Sequence, residues 1–152
     1  MPTEIRPQCT PADLTVIVAD RHPFARAALA ALLSYDGYRV FQGESFQKTL
    51  SYIDQMPSLG VLIADLETPE WRSIVRHAVD TTSALVIAME GNHPFSEIYD
   101  LKARGIQICL QKPIVYSDVQ KAIQRHFRIR QLSQRAREPI AAIANRLFNL
   151  NS

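Results

Sequence analysis

At 152 residues, 47% hydrophobic and 21% charged, the chain is one ordinary domain able to bury a real core, which excludes disordered, collagen-like and low-complexity classes for its bulk. Its longest apolar runs are about six residues against the roughly 20 of a membrane helix; residues 1–13 hold three prolines and no apolar secretory core, and two cysteines cannot frame a disulfide scaffold. The net charge of +2 is uneven: residues 121–152 set seven basic side chains against Glu138 alone, a net +6, so the first 120 residues carry −4. The expected division is a disordered segment over 1–13, a folded unit over 14–127 and a basic amphipathic helical extension over 128–152.

Leu14–Ala19 (LTVIVA) is the first apolar run, and Pro23 suits the first position of a helix through the dense apolar stretch Phe24 to Leu33. A weaker strand pattern, Tyr38–Phe41, precedes a helical stripe of Phe46, Leu50 and Ile53. Gly60–Ala64 (GVLIA) is the third strand, followed by a stripe of Ile74, Val75, Ala78 and Val79. Ala84–Met89 (ALVIAM) is the fourth, with Ile98 and Leu101 placed on a helix that Pro94 opens. Ile106–Leu110 is the fifth, and Val119, Ala122, Ile123 and Phe127 follow with Ser117 as N-cap. The strong runs barely alternate in polarity, as strands buried on both faces do. A βα unit repeated five times predicts a parallel sheet with helices on both faces, its function lying beyond the carboxyl ends of the strands.

The strand ends therefore matter most. The first ends in Asp20, the third in Asp65, the fourth near Ala88, and the fifth in Lys112-Pro113. Any one of these serves readily as a turn former; an amine and two carboxylates converging at one sheet edge is a chemical constellation. Paired carboxylates can hold a hard divalent cation such as Mg²⁺. A lysine can neutralise a phosphoryl oxygen as a point charge. An aspartate beside a metal can act as a nucleophile toward phosphorus.

Three stretches resemble the response-regulator receiver domains of two-component signalling. VIVADRHPFARAALAALL (Val16–Leu33) is similar to the opening of receivers that precede LuxR-type DNA-binding domains. VLIADLETP (Val61–Pro69) resembles the phosphoacceptor strand and its turn, and QKPI (Gln111–Ile114) the lysine-proline corner. The resemblance covers about Leu14 to Phe127. It implies a flavodoxin-like, doubly wound five-stranded α/β fold, (βα)5, with a C-terminal helical extension. It also implies Asp65 as phosphoacceptor, Asp20 as one of an acidic metal pair, Lys112 as the phosphate-sensing lysine, and Glu67 as the donor of a backbone carbonyl to Mg²⁺.

The departures from that pattern are as informative. Where such receivers carry a second acid after the first strand, this chain has Arg21, a cation expected to weaken Mg²⁺ binding or to take the cation's place by pairing with Asp65 or Asp20. Ala88 stands where a hydroxyl would bond the phosphoryl group, and Cys109 where the aromatic switch residue belongs. The 23-residue step from Asp65 to Ala88 is several residues short, so the third helix or its preceding loop is trimmed. These changes make the chain an atypical or pseudo-receiver, with phosphorylation at Asp65 weak or absent and the usual relay of the signal missing two contacts.

His22, His77, His93 and His126 form no metal set in the sequence, and His22 reads as a loop-shaping residue. Cys109 reads as a small buried apolar residue. A nucleotide-binding enzyme is disfavoured, because Arg21-His22-Pro23 puts bulky residues where a phosphate cradle needs glycine. In the extension, Ile129, Leu132, Ala136, Ile140, Ile143, Leu147 and Leu150 form a heptad-like seam interrupted by Pro139. Three readings of it stay open: a dimerising or docking helix, the start of an output domain, or an arginine-rich contact to nucleic acid. The resemblance implies a bacterial, cytoplasmic setting, and the expected protein is a non-enzymatic signalling module. It forms a homodimer, partners a histidine kinase or other signalling protein, touches no membrane, and meets nucleic acid only through the tail or an output domain. The alternative is a conventional phosphoaspartate receiver controlling transcription through a DNA-binding domain outside this chain.

Overall fold

A computed structural model describes residues 9–91 and 100–129. Five strands form one all-parallel sheet: β1 (Thr15–Ala19), β2 (Arg39–Gly43), β3 (Val61–Asp65), β4 (Leu85–Glu90) and β5 (Ile108–Gln111), in the order β2-β1-β3-β4-β5. The α/β doubly wound architecture expected from the alternating runs is the observed one. The helices whose bounds both fall within the described residues are α1 (Pro23–Tyr35), α2 (Phe46–Gln55), α3 (Trp71–Thr81) and α4 (Tyr116–Phe127).

Unbroken apolar strands follow from burial on both faces. On one face Val16, Val18, Ile63 and Ile87 pack with Leu29, Leu32 and Leu33 of α1 and Val119 and Ile123 of α4. On the other, Ile17, Leu62 and Val86 pack with Ile53 of α2 and Ile74, Val75 and Ala78 of α3. Each fully buried aliphatic side chain of this kind contributes about 1.5–3 kcal/mol of transfer free energy. Because the side-chain period of a strand is two, a slip of one residue in any central strand would exchange the two cores.

Local signals set the helix ends. Pro23 occupies the first turn of α1, where its missing N–H costs nothing. Gly37, at φ +100°, turns the chain after α1, a conformation glycine adopts without a Cβ penalty. Ser45 caps α2 by accepting from the Lys48 N–H at 3.2 Å. Tyr116 fastens α4 to α1, its hydroxyl donating to Asp36 Oδ2 at 2.6 Å and to the Leu32 carbonyl at 3.2 Å.

Several expectations are corrected. β4 runs on to Glu90 rather than ending near Ala88, because Met89 and Glu90 keep pairing with Leu110 and Gln111. α4 starts at Tyr116 with Val115 as N-cap, so Ser117 lies inside its first turn. Within the segment expected to be disordered, Pro11–Asp13 form a 3-10 turn. Asp13 Oδ2 accepts from both the Thr10 N–H (2.9 Å) and the Thr10 hydroxyl (2.7 Å), and Cys9 forms a parallel bridge with Ile129. The helix start at Pro94 lies outside the described residues; residues 100–103 are helical and bury Leu101. The extension beyond Ile129 also lies outside them.

Candidate functional site

The order β2-β1-β3 makes β1 the point where crossovers diverge to opposite sides, opening a crevice at the strand C-termini. Asp20 follows β1, Asp65 closes β3 and Lys112 follows β5, so one edge gathers all three. Asp65 is fully buried and Asp20 nearly so.

Hydrogen bonds hold each group. Asp65 Oδ1 accepts from Lys112 Nζ at 2.7 Å and from the Glu67 N–H at 3.1 Å. Asp65 Oδ2 is buried and has no hydrogen-bond partner among the described residues. Asp20 Oδ1 accepts from the His22 N–H at 2.9 Å. Lys112 Nζ also lies 3.4 Å from Glu67 Oε2, and His22 Nε2 lies 3.7 Å from the same oxygen. The edge is thus a small ring of three carboxylates, one ammonium and one imidazole.

Electrostatics follow from this crowding. Burial, opposed by the His22 N–H and aided by the neighbouring Asp65 carboxylate, pushes the Asp20 carboxyl above its ordinary value. Burial also works against the Lys112 ammonium, but the hydrogen bond and charge of Asp65, with Glu67 behind, outweigh it and raise the lysine. Such a site favours a cation over a second free anion unless charge is first neutralised.

Arg21 is exposed and forms no ion pair among the described residues, so the expected alternative in which it pairs with Asp65 or Asp20 is not seen, and the cation facing Asp65 is Lys112. The Asx-type turn from Asp20 to the His22 N–H faces the acid inward while the next side chain goes to solvent. Ala88 and Cys109 are register partners within the sheet, with Ala64 on the other side of Ala88. Ala88 is fully buried in the α3-side core. Burial, then the Glu90 carboxylate, pushes the Cys109 thiol up, away from a reactive thiolate.

Three contributors were not singled out as site residues in the sequence. Arg26 is buried, and its Nη1 donates to the Asp20 carbonyl at 2.9 Å while its Nε donates to Gln42 Oε1 at 3.1 Å, pinning the β1–α1 turn. Its signal, a lone arginine in an apolar helical face, was present. Thr68 carries a buried hydroxyl without a partner among the described residues, three positions past Asp65. One ligand atom from each of Asp20, His22 and Asp65 lies within 4.8 Å of the other two. Beside this edge, a groove of about 570 Å³ runs between α1 and the segment before α4, lined by Leu29, Leu32, Met89, Ile114 and Val115 with Lys112 at its polar end.

No protein-family model matches the sequence, and no curated relative does. Solved structures match its fold. A response-regulator receiver domain protein from Clostridium thermocellum is 23% identical, covering 76% of this chain and 94% of its own, with a TM-score of 0.69. FixJ-N is 22% identical, covering 80% and 98%, at 0.66. A Burkholderia pseudomallei response regulator, solved with a phosphorylated aspartic acid, calcium ion and citrate, is 19% identical, covering 76% and 69%, at 0.68. The name is not uniform among neighbours: a structure described as adenylate cyclase from Rhodopirellula baltica matches at 20% identity, covering 75% and 87%, with a TM-score of 0.67. Sequence pattern, strand order and these likenesses agree on one architecture, the CheY-like, flavodoxin-like fold of receiver domains.

Proposed function

We propose that this chain is an atypical receiver: a non-enzymatic signalling module that works through protein contacts, including a second copy of itself, with phosphorylation at Asp65 weak or absent. The observation that carries the reading is the combination at one edge of an Asp65–Lys112 pair at 2.7 Å with an apolar, hydroxyl-free position at Ala88. Lys112 is in place to neutralise an anion on Asp65. Ala88 offers no donor that would distinguish a phosphorylated from an unphosphorylated state, and Cys109 no aromatic ring to follow it. The apolar groove with Val115, 55% exposed, in its lining, and Phe24, 60% exposed, in the first turn of α1, favour a protein partner on the α1 side. A histidine kinase or another cytoplasmic signalling protein fits that role. Among the described residues no helix is long and apolar enough to cross a membrane.

The second reading, a conventional phosphoaspartate receiver acting on transcription through an output domain, is favoured by one feature. Asp65 Oδ2 is an unpartnered carboxylate oxygen beside a lysine. It would attack the phosphorus of an acyl phosphate and expel the carboxylate, leaving an aspartyl phosphate whose charge Lys112 and a divalent cation would neutralise. Mg²⁺ held by Asp20, Asp65 and the Glu67 carbonyl is the cation that reading implies. The orphaned Oδ2 and the buried Asp20 fit such an ion, and it would supply charge neutralisation at the phosphoryl oxygens.

Intact mass after incubation with acetyl phosphate and Mg²⁺ separates the two. The atypical reading expects no gain, or a small fraction, under conditions that modify an ordinary receiver fully. Stoichiometric gain of one phosphoryl group, abolished by Asp65→Asn, would replace it with the conventional one.

A further inference from the structure

The geometry points to a divalent-cation site with an imidazole ligand: Asp20, Asp65 and His22 together bind a borderline cation of the Zn²⁺ class in preference to Mg²⁺. It rests on the receiver-like reading only for which crevice the cation enters.

Two independent observations support it. The first is geometric: one ligand atom from each residue lies within 4.8 Å of the other two. Metal–oxygen and metal–nitrogen bonds of about 2.0–2.2 Å separate ligand atoms by about 3.3–3.6 Å at a tetrahedral centre, so a set spread over up to 4.8 Å must close by about 1 Å. His22 can make up that difference, since its side chain is 51% exposed and its ring makes no hydrogen bond among the described residues, only the 3.7 Å contact with Glu67 Oε2. The second is the orphan oxygen. Asp65 Oδ1 already takes the Lys112 ammonium and the Glu67 N–H, whereas Oδ2, fully buried, takes nothing among the described residues. The two oxygens of one carboxylate divide between an internal cation and an external one.

Softness decides which cation. Mg²⁺ demands near-octahedral oxygen ligation, and of the three carboxylates at this edge only Asp20 and Asp65 fall in the set, with an imidazole as its third member. Imidazole suits Zn²⁺, Co²⁺ and Ni²⁺, and a half-exposed site leaves the remaining positions to water. Glu67 completes the arrangement. Its Oε2 lies 3.7 Å from His22 Nε2, just beyond hydrogen-bond distance, and the same movement that engages the other nitrogen would let it accept from the imidazole N–H and fix the ring.

Calorimetric titration of the full chain with Zn²⁺ and, separately, Mg²⁺ tests this, together with NMR of the histidine rings. The expected result is Zn²⁺ affinity at least about a hundredfold above that for Mg²⁺, with the His22 ring resonances shifting at saturation. His22→Asn should weaken Zn²⁺ by about tenfold or more and leave Mg²⁺ within about twofold. Asp65→Asn should weaken both. His22 caps α1 without a side-chain hydrogen bond, so its replacement leaves the fold intact, and thermal unfolding of the variant checks that. Asp54→Asn, which breaks the separate His77–Asp54 contact, controls for Zn²⁺ binding elsewhere and should change neither affinity. Unmoved His22 resonances, an unchanged Zn²⁺ affinity in His22→Asn, or no Zn²⁺ binding that depends on Asp65 would each overturn the proposal while leaving the receiver-like reading standing. Conversely, the phosphoryl mass measurement can fail or succeed without altering this result.

Discussion

Removing the ammonium that faces Asp65 should cost more than removing Asp65 itself. At 2.7 Å and an effective dielectric near 20, the Lys112–Asp65 attraction is about 6 kcal/mol gross. Withdrawal of both charges from water offsets more than half of it, and the lysine remains 27% exposed, so a coupling of about 2–3 kcal/mol is left. The two single changes are unequal. Lys112→Met leaves a fully buried carboxylate held by the Glu67 N–H and facing the Asp20 carboxylate, at a cost of about 3 kcal/mol. Asp65→Asn leaves an ammonium that still reaches Glu67 and water while relieving Asp20, at a cost of at most about 1 kcal/mol. The double variant should resemble Asp65→Asn. Urea unfolding followed through Trp71, the sole tryptophan and a buried one, gives all four corners of the cycle. In a chain of this length the Lys112→Met cost corresponds to about 6–12 °C in Tm. Equal costs for the two single variants, or a coupling below about 0.5 kcal/mol, would refute the claim that the lysine is what stabilises a buried charge here.

Two further outcomes follow from other contacts. Tyr116→Phe removes the donor to Asp36 Oδ2 and the Leu32 carbonyl without emptying space, and should destabilise by about 1–2 kcal/mol in the same urea assay; a change below about 0.3 kcal/mol would show that the α1–α4 fastening is not set by this hydroxyl. The Thr10 N–H, then its hydroxyl, hold the Asp13 carboxyl below its ordinary value, so its contribution to stability is present above the unfolded-state pKa and fades as pH falls through the depressed one. Thr10→Ala should therefore raise the Asp13 midpoint in a carboxyl-carbon NMR titration, and an unmoved midpoint would sink the assignment.

The sheet was legible because each central strand is buried on both faces and so is written as an unbroken aliphatic run. Asp65 and Lys112 were legible because they interrupt such runs at their ends. The same rule misplaced the end of β4, since Glu90 is a charge buried inside the sheet edge, where its Oε1 accepts from Gln111 at 3.0 Å. Composition cannot announce a buried carboxylate whose partner lies on the next strand. The outward direction of Arg21 was hidden for a different reason. Proximity in sequence to Asp20 says nothing of direction, and the turn that aims one side chain inward sends its neighbour out. The ordering of residues 9–13 was invisible because it depends on contacts far along the chain, with Gly37 and Ile129.

The Cys9–Ile129 bridge brings two points 120 positions apart in the chain side by side. A segment cut at those two points has adjoining ends, which could be spliced into a surface loop of an unrelated host without prying that loop apart. The same bridge means that tension applied across those two points would load a single β-bridge and the packing of Cys9 and Ile129 against the core before it reached the sheet. The bridge is thus the mechanical fuse of the described body, expected to part first and leave the Asp65–Lys112 edge untouched.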